Sequence, residues 1–220
     1  MPSTNCWRWR GSVRGSSARE REHREPMNTM NEKYPKQVRL PDGSEVEIRM
    51  LAPGDGPAVL AFARALPPED LLFLRVDLTQ EEVVDAWMAN AVNGHSTTLL
   101  AWDGTGLVGY ATVHRNPAPW TRGVGEIRVN VAAAYRGRGL GRVLTGQIFD
   151  IAHALGLRKL MAQMTTDQHG AQAAFRRLGF VPEAMLADYV EDRGGRTHDL
   201  VLMTFSVDGH TDLVAEPLRV

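Results

Sequence analysis

The sequence predicts an α+β domain built on a mixed sheet. Strands and helices alternate through the middle of the chain, and the chain closes in a long hairpin. Between them, an alternating strand runs into a glycine-rich loop that opens an amphipathic helix.

Each element has a local cause. Glu45–Met50 alternates polar and apolar residues, as a half-buried strand does. After the turn Pro53-Gly54-Asp55-Gly56, Pro57–Leu66 sets Val59, Leu60, Phe62, Ala63 and Leu66 at helical spacing, and Pro67-Pro68 stops that helix. Thr79 and Glu82 have the spacing of a capping box, followed by the apolar stripe Val83, Val84, Trp87 and Met88. Thr97–Trp102 and Leu107–Arg115 flank Asp103-Gly104-Thr105-Gly106, which predicts a hairpin. In Gly125–Val131, Ile127, Val129 and Val131 share one face, and Glu126, Arg128 and Asn130 the other. After the loop Ala132–Gly139, a helical stripe of Leu140, Val143, Leu144, Ile148, Ile151, Ala152 and Leu155 ends at Gly156. Lys159–Met164 is a strand and Gly170–Leu178 a helix closed by Gly179. Phe180–Val190 and Thr197–Phe205 form the last hairpin, joined by Asp192-Arg193-Gly194-Gly195.

Composition excludes several function classes. The chain has 220 residues, 43% hydrophobic and 23% charged, with net charge −1, which fits one soluble domain with a tail. No run approaches the ~20 apolar residues of a membrane span. The lone cysteine, Cys6, excludes an internal disulfide and a multi-cysteine metal site, and suits a reducing, cytoplasmic setting. Near-neutral charge argues against nucleic acid as a partner. Beyond residue 26 the only serines are Ser44, Ser96 and Ser206, so hydroxyl and thiol nucleophiles are scarce. His114, His153, His169 and His198 lack metal-ligand spacing, so no metal is expected. Trp87, Trp102 and Trp120 read as core or groove aromatics.

Residues 1–26 carry six Arg against three Glu, have no apolar periodicity and lack the apolar stretch of a secretory signal. Disorder without function is the favoured reading. An organellar transit peptide, a basic arm for anionic partners, and a true start at Met27 or Met30 are the alternatives. The expected organisation is a disordered basic tail over 1–36, a domain over 37–207 and a C-terminal tail over 208–220.

The chemistry gathers around Arg136-Gly137-Arg138-Gly139-Leu140-Gly141-Arg142. Alternating glycines let a backbone approach a ligand closely, and the helix N-terminus adds unpaired N–H groups and about +0.5 charge. With the arginines these make a site suited to a pyrophosphate. A dinucleotide fold fails, because the pattern is Gly-x-Gly-x-Gly, Ala132–Tyr135 intervene after the strand, and no ribose-binding acid follows at the right distance. A Walker A loop fails because Gly141-Arg142-Val143 lacks Gly-Lys-Ser/Thr.

Arg136-Gly137-Arg138-Gly139-Leu140-Gly141, following a hydrophobic strand, resembles the acetyl-CoA signature Arg/Gln-x-x-Gly-x-Gly/Ala of the GCN5-related N-acetyltransferase (GNAT) superfamily. Ala171–Phe180, closing in Gly179-Phe180, is similar to the family's second conserved helix, and the resemblance runs from Glu45 to Phe205. Leu66-Pro67-Pro68-Glu69-Asp70, ending in Phe73-Leu74-Arg75, resembles more weakly the GNAT domains of bacterial protein-lysine acetyltransferases. The resemblance implies a GNAT acyl-CoA N-acyltransferase fold, in which helices flank a sheet whose strand through Val131 splays from Lys159–Met164. It implies that Val129, Asn130 and Val131 pair with the pantetheine arm and that the amides of Arg136–Arg142 cradle the pyrophosphate, with Gln168 and Phe175 also at the cofactor.

It further implies transfer of an acetyl group from acetyl-CoA to a primary amine by direct attack in a ternary complex, without a metal. Glu126 is the expected base, with a plain surface carboxylate on a half-exposed strand as the alternative, and a backbone N–H near Val131 is the oxyanion donor. Where the family often has a tyrosine acid this chain has Phe175, and where it often has asparagine it has Gln168. A thiol of pKa ~8.5 can leave as the anion, and Tyr189 or Tyr135 is the candidate substitute acid. The expected acceptor is a small molecule such as an amino acid, polyamine or antibiotic, with protein lysine as the alternative, no membrane partner, and a homodimer in keeping with the family. The rivals are a CoA-binding sensor without turnover, suggested by Phe175 and Gln168, and a nucleotide-binding oxidoreductase.

Overall fold

A computed structural model describes residues 32–207 other than 72, 73, 75, 117 and 193, and for 68 and 69 only the backbone. The tail expected over 1–26, Cys6, residues 208–220, and Phe73 and Arg75 therefore lie outside the described residues.

Eight strands form one sheet in the order β1-β2-β3-β4-β5-β6-β8-β7. In chain order they are β1 (Lys36–Arg39), β2 (Glu45–Met50), β3 (Ser96–Trp102), β4 (Leu107–Arg115), β5 (Val124–Val131), β6 (Lys159–Thr165), β7 (Val181–Glu191) and β8 (Thr197–Ser206). All neighbours are antiparallel except β5 and β6, the pair bridged by a helix. The helices are α1 (Gly56–Arg64), α2 (Pro68–Leu71), α3 (Glu81–Val92), α4 (Leu140–Ala154) and α5 (His169–Arg177). This is the mixed sheet flanked by helices that the sequence predicts. Tyr34 packs against the core and its hydroxyl donates to Gln147, so the fold takes in chain upstream of residue 37.

The two faces of the sheet carry separate cores. On one, the fully buried α4 residues Leu140, Leu144 and Ile148 pack on Leu99, Ala111, Ile127 and Leu160. On the other, Val59 and Phe62 of α1 and Val84 and Trp87 of α3 pack on Leu100 and Tyr110. The stripes read from the sequence are thus the buried ones. The capping box is not formed. Gln80 is the N-cap of α3, one residue beyond Thr79, and the Thr79 hydroxyl donates instead to Asp77 at 2.6 Å. Pro67-Pro68 ends α1 but opens the short α2, since proline is tolerated in a first helical turn. Trp120 is 90% exposed and is neither core nor groove.

The sheet divides after the start of β5. β5 pairs with β4 along seven positions, and β6 pairs with β8 along seven, yet β5 and β6 meet only at Val124–Lys159, Gly125–Leu160 and Glu126–Met161. Beyond Glu126 the two strands part, as the resemblance implies.

Gly125 is the tight point of that junction. A Cβ there would lie 2.7 Å from Leu157 Cδ1 and 2.8 Å from Val113 Cγ2. Gly125→Ala is expected to destabilise the fold by about 1–3 kcal/mol through overpacking, read as a lower urea midpoint. The β3–β4 turn offers a pH test. Burial opposes ionisation of Asp103, but bonds from the Thr105 and Tyr135 hydroxyls and the Thr105 and Gly106 amides outweigh it and hold its pKa at about 2. Its contribution is full above the unfolded value of about 3.9 and is lost as pH falls through about 2. The melting-temperature gap between wild type and Asp103→Asn should therefore shrink between pH 5 and pH 2.

Candidate active site

Where β5 and β6 part, a cleft of about 1510 Å³ opens. Val129, Asn130 and Val131 form one wall and Ala162, Gln163 and Met164 the other; Gly137, Gly139 and Gly141 sit at one end, and α5 with Gln168, His169 and Phe175 lies alongside. The Ala132 N–H donates to the Val108 carbonyl on β4. Strand alternation then turns the Asn130 backbone groups to β4, and those of Val129 and Val131 to the cleft. Val129 and the Val131 N–H can therefore pair with an added strand, while the Val131 carbonyl accepts from Arg136 Nε at 3.3 Å, and Asn130 presents its side chain, which is bonded to Tyr110.

The glycine loop is pinned from below. The Tyr135 hydroxyl donates to Asp103 at 2.7 Å, Arg138 pairs with Asp42 at 3.5 Å and lies over the Tyr135 ring, and Arg136 pairs with Asp70 of α2. Gly139 takes φ +94, and a Cβ there would meet Pro41 at 2.9 Å, so glycine is required twice over. Gly139 is also the N-cap of α4, with no side chain to cap and no acid in the first turn. The first amides of α4 are left for an outside acceptor. At Gly137 a Cβ would meet nothing within 4 Å, and at Gly141 only Val131 Cγ2 at 3.7 Å, so ligand atoms can approach the backbone there. An open cradle of amides, with no acid in the first turn of α4 and with Asp42 and Asp70 each paired to a loop arginine, fits the pyrophosphate expected of it.

Not every residue singled out from the sequence faces the cleft. Leu140 is fully buried in the core, so only its amide can serve a ligand, and Arg138 turns away to Asp42. Arg136 lines the cleft but is held by Asp70; Arg142 is exposed at the cleft and, among the described residues, forms no ion pair. Gln168 lines it as the residue before α5, its side-chain oxygen accepting from the Thr165 amide at 3.0 Å. Phe175 lines it with its ring edge-on to Phe180. Tyr189 stands in an irregular stretch of edge strand β7, 64% exposed and away from the cleft lining. Tyr135 spends its hydroxyl on Asp103, whose hydrogen bond raises its pKa. Neither tyrosine is placed to protonate a leaving group in the cleft.

Glu126, Arg128 and Asn130 project to the face of α1 and α3, beside Tyr110, Thr112 and His114 of β4. Glu126 is 11% exposed and sits next to the cleft rather than in its lining, joined to Arg128 at 2.5 Å. Trp87, read from the sequence as a core or groove aromatic, closes this end together with Leu74, Val83, Asn90, Tyr110 and His114, which sequence reasoning did not place at the site. Register along the β3–β4 hairpin could have placed Tyr110 and His114 on one face, but not the helices above them.

The family model for the acetyltransferase (GNAT) family matches residues 61–180. The chain belongs to that family. It is 32% identical over 155 residues to a mycothiol acetyltransferase of Geodermatophilus obscurus, covering 67% of this chain and 48% of that protein. It is 30% identical over 135 residues to the L-methionine sulfoximine/L-methionine sulfone acetyltransferase of Pseudomonas aeruginosa, covering 60% and 76%. The chain spans half or less of the length of the mycothiol acetyltransferases it matches. A GNAT-fold Salmonella typhimurium protein solved with acetyl-CoA superposes with TM-score 0.62 at 23% identity, over 76% of this chain and 96% of that one. In this GNAT chain, no helix among the described residues is long and apolar enough to cross a membrane, and no His, Cys, Asp or Glu group among them is arranged to hold a metal ion.

Gly141→Leu tests the cradle without disturbing the fold, because the position is helical. The variant should melt no lower than wild type, while its affinity for acetyl-CoA by titration calorimetry falls at least about tenfold.

Proposed function

We propose that this chain is an acetyl-CoA-dependent N-acetyltransferase acting on a small-molecule primary amine. The observation that carries the reading is the parting of β5 from β6 directly above a helix N-terminus with no side-chain cap and no acid in its first turn. Such a cleft accepts an extended arm along Val129 and Val131 and an anionic group on the amides of 137–142. Acetyl-CoA supplies the thioester carbonyl that the neutral amine attacks; the C–N bond forms first, and the C–S bond breaks as the resulting oxyanion collapses.

The protein's part is to position and to move protons. The Val131 N–H, turned to the cleft, serves as donor to the developing oxyanion. Glu126, paired with Arg128, takes the ammonium proton through a water, since its carboxylate stands beside the cleft rather than in it. With Phe175 in place of a hydroxyl, CoA leaves as the thiolate. The relatives' names, a mycothiol acetyltransferase and a methionine sulfoximine acetyltransferase, favour a small acceptor over a protein lysine.

Glu126→Gln should lower kcat about 10²-fold with acetyl-CoA affinity unchanged. A larger loss in His114→Ala would move the base across the β4–β5 ladder. Acetyl-CoA binding with no thiol release across a panel of amines would favour the non-catalytic sensor.

A further inference from the structure

Arg128, Arg136, Arg142 and Arg177 line the cleft. Arg136, Arg142 and Arg177 belong to the glycine loop, α4 and α5, at the cofactor end. Arg128 projects from β5 to the opposite face, over the acceptor end. Its Nη2 donates to Glu126 at 2.5 Å, but its Nε is buried with no hydrogen-bond partner. Its polar neighbours are already engaged: the Thr112 hydroxyl with Thr98 at 2.9 Å, and the Tyr110 hydroxyl with the Asn130 side chain. A guanidinium held on one side and unsatisfied on the other is poised for a second anion. Leu74, Val76, Leu78, Val83 and Trp87 give this end of the cleft an apolar wall, with Asn90 and His114 as its polar members.

We propose that Arg128 binds a carboxylate of the acceptor, and that the acceptor is an α-amino acid with an uncharged, apolar side chain. The proposal rests on the N-acetyltransferase reading and narrows it. An α-amino acid carries ammonium and carboxylate on one carbon; Glu126 and Arg128 carry the matching opposite charges at alternate positions on one strand face. The ammonium gives one proton to Glu126 through a water, the nitrogen bonds to the acetyl carbon, the C–S bond breaks with CoA leaving as the thiolate, and the adduct's second nitrogen proton passes to solvent. The carboxylate stays on the unused donors of Arg128 and undergoes no chemistry. A polyamine, or a lysine ε-amine, offers nothing to that guanidinium.

The test is thiol release from acetyl-CoA with L-leucine, L-phenylalanine and L-methionine sulfone, each against its carboxamide, with spermidine as a third arm. The acids should exceed their carboxamides at least about tenfold in kcat/KM, mainly through KM. Arg128→Gln should bring that ratio close to one, and Arg128→Lys should restore only part of it. Because Arg128 also touches Glu126, the ratio is the readout rather than the absolute rate, and a thermal melt checks the fold of each variant. Wild type that prefers carboxamides or spermidine, or a preference that survives Arg128→Gln, overturns the proposal. If no amine turns over, calorimetric titration of L-leucine and L-leucinamide into CoA-saturated protein decides: tighter binding of the acid, lost in Arg128→Gln, supports it, and equal binding overturns it. Failure of acetyl-CoA itself to bind would instead overturn the N-acetyltransferase reading.

Discussion

The short parallel contact between β5 and β6 is the constraint on which the rest of the structure depends. Each strand is committed elsewhere, β5 to β4 and β6 to β8, along almost its full length. Their shared ladder is confined to Val124–Glu126 and Lys159–Met161, closed tightly over Gly125. Past that point the two half-sheets follow their own partners and diverge. α4 spans the junction, buries Leu140, Leu144 and Ile148 beneath it, and presents its N-terminus where the strands have separated. Cleft and anion cradle thus arise from one crossover.

The glycine loop shows how sequence chemistry is divided between structure and ligand. Its arginines look alike in the sequence, but Arg138 anchors the loop to the β1–β2 turn and Arg136 ties it to α2, which leaves Arg142 exposed at the cleft. Tyr135 does the same for the β3–β4 turn through Asp103. Holding a loop of left-handed glycines in one shape takes such contacts, because Gly137 and Gly139 contribute none themselves.

Much of this architecture is legible in the amino-acid sequence. β2, the β3–β4 hairpin, β5 and α4 each carry a strong period and a clear stop, and the signature from Arg136 to Gly141 marks the cradle. Less is legible where tertiary contacts override local pattern. β1 is a four-residue exposed edge strand, KQVR, without alternation to reveal it. Thr79 has capping spacing, yet Asp77 takes its hydroxyl. Leu140 lies inside the signature but belongs to the core, and Tyr189 is exposed on an edge strand outside the cleft lining. The proposed acceptor end of the cleft is the least legible part, because Trp87, Tyr110 and Arg128 come together only when α3 is laid over the sheet.

We propose that the open edge of β5 receives an extended cofactor arm as an added strand. Amide hydrogen exchange along β5, with and without CoA, tests it most directly. The Val129 and Val131 amides should slow at least about tenfold on binding, while Asn130, already committed to β4, barely changes. Unchanged exchange at Val129 and Val131 under saturating CoA, or equal slowing at all three positions, would contradict it.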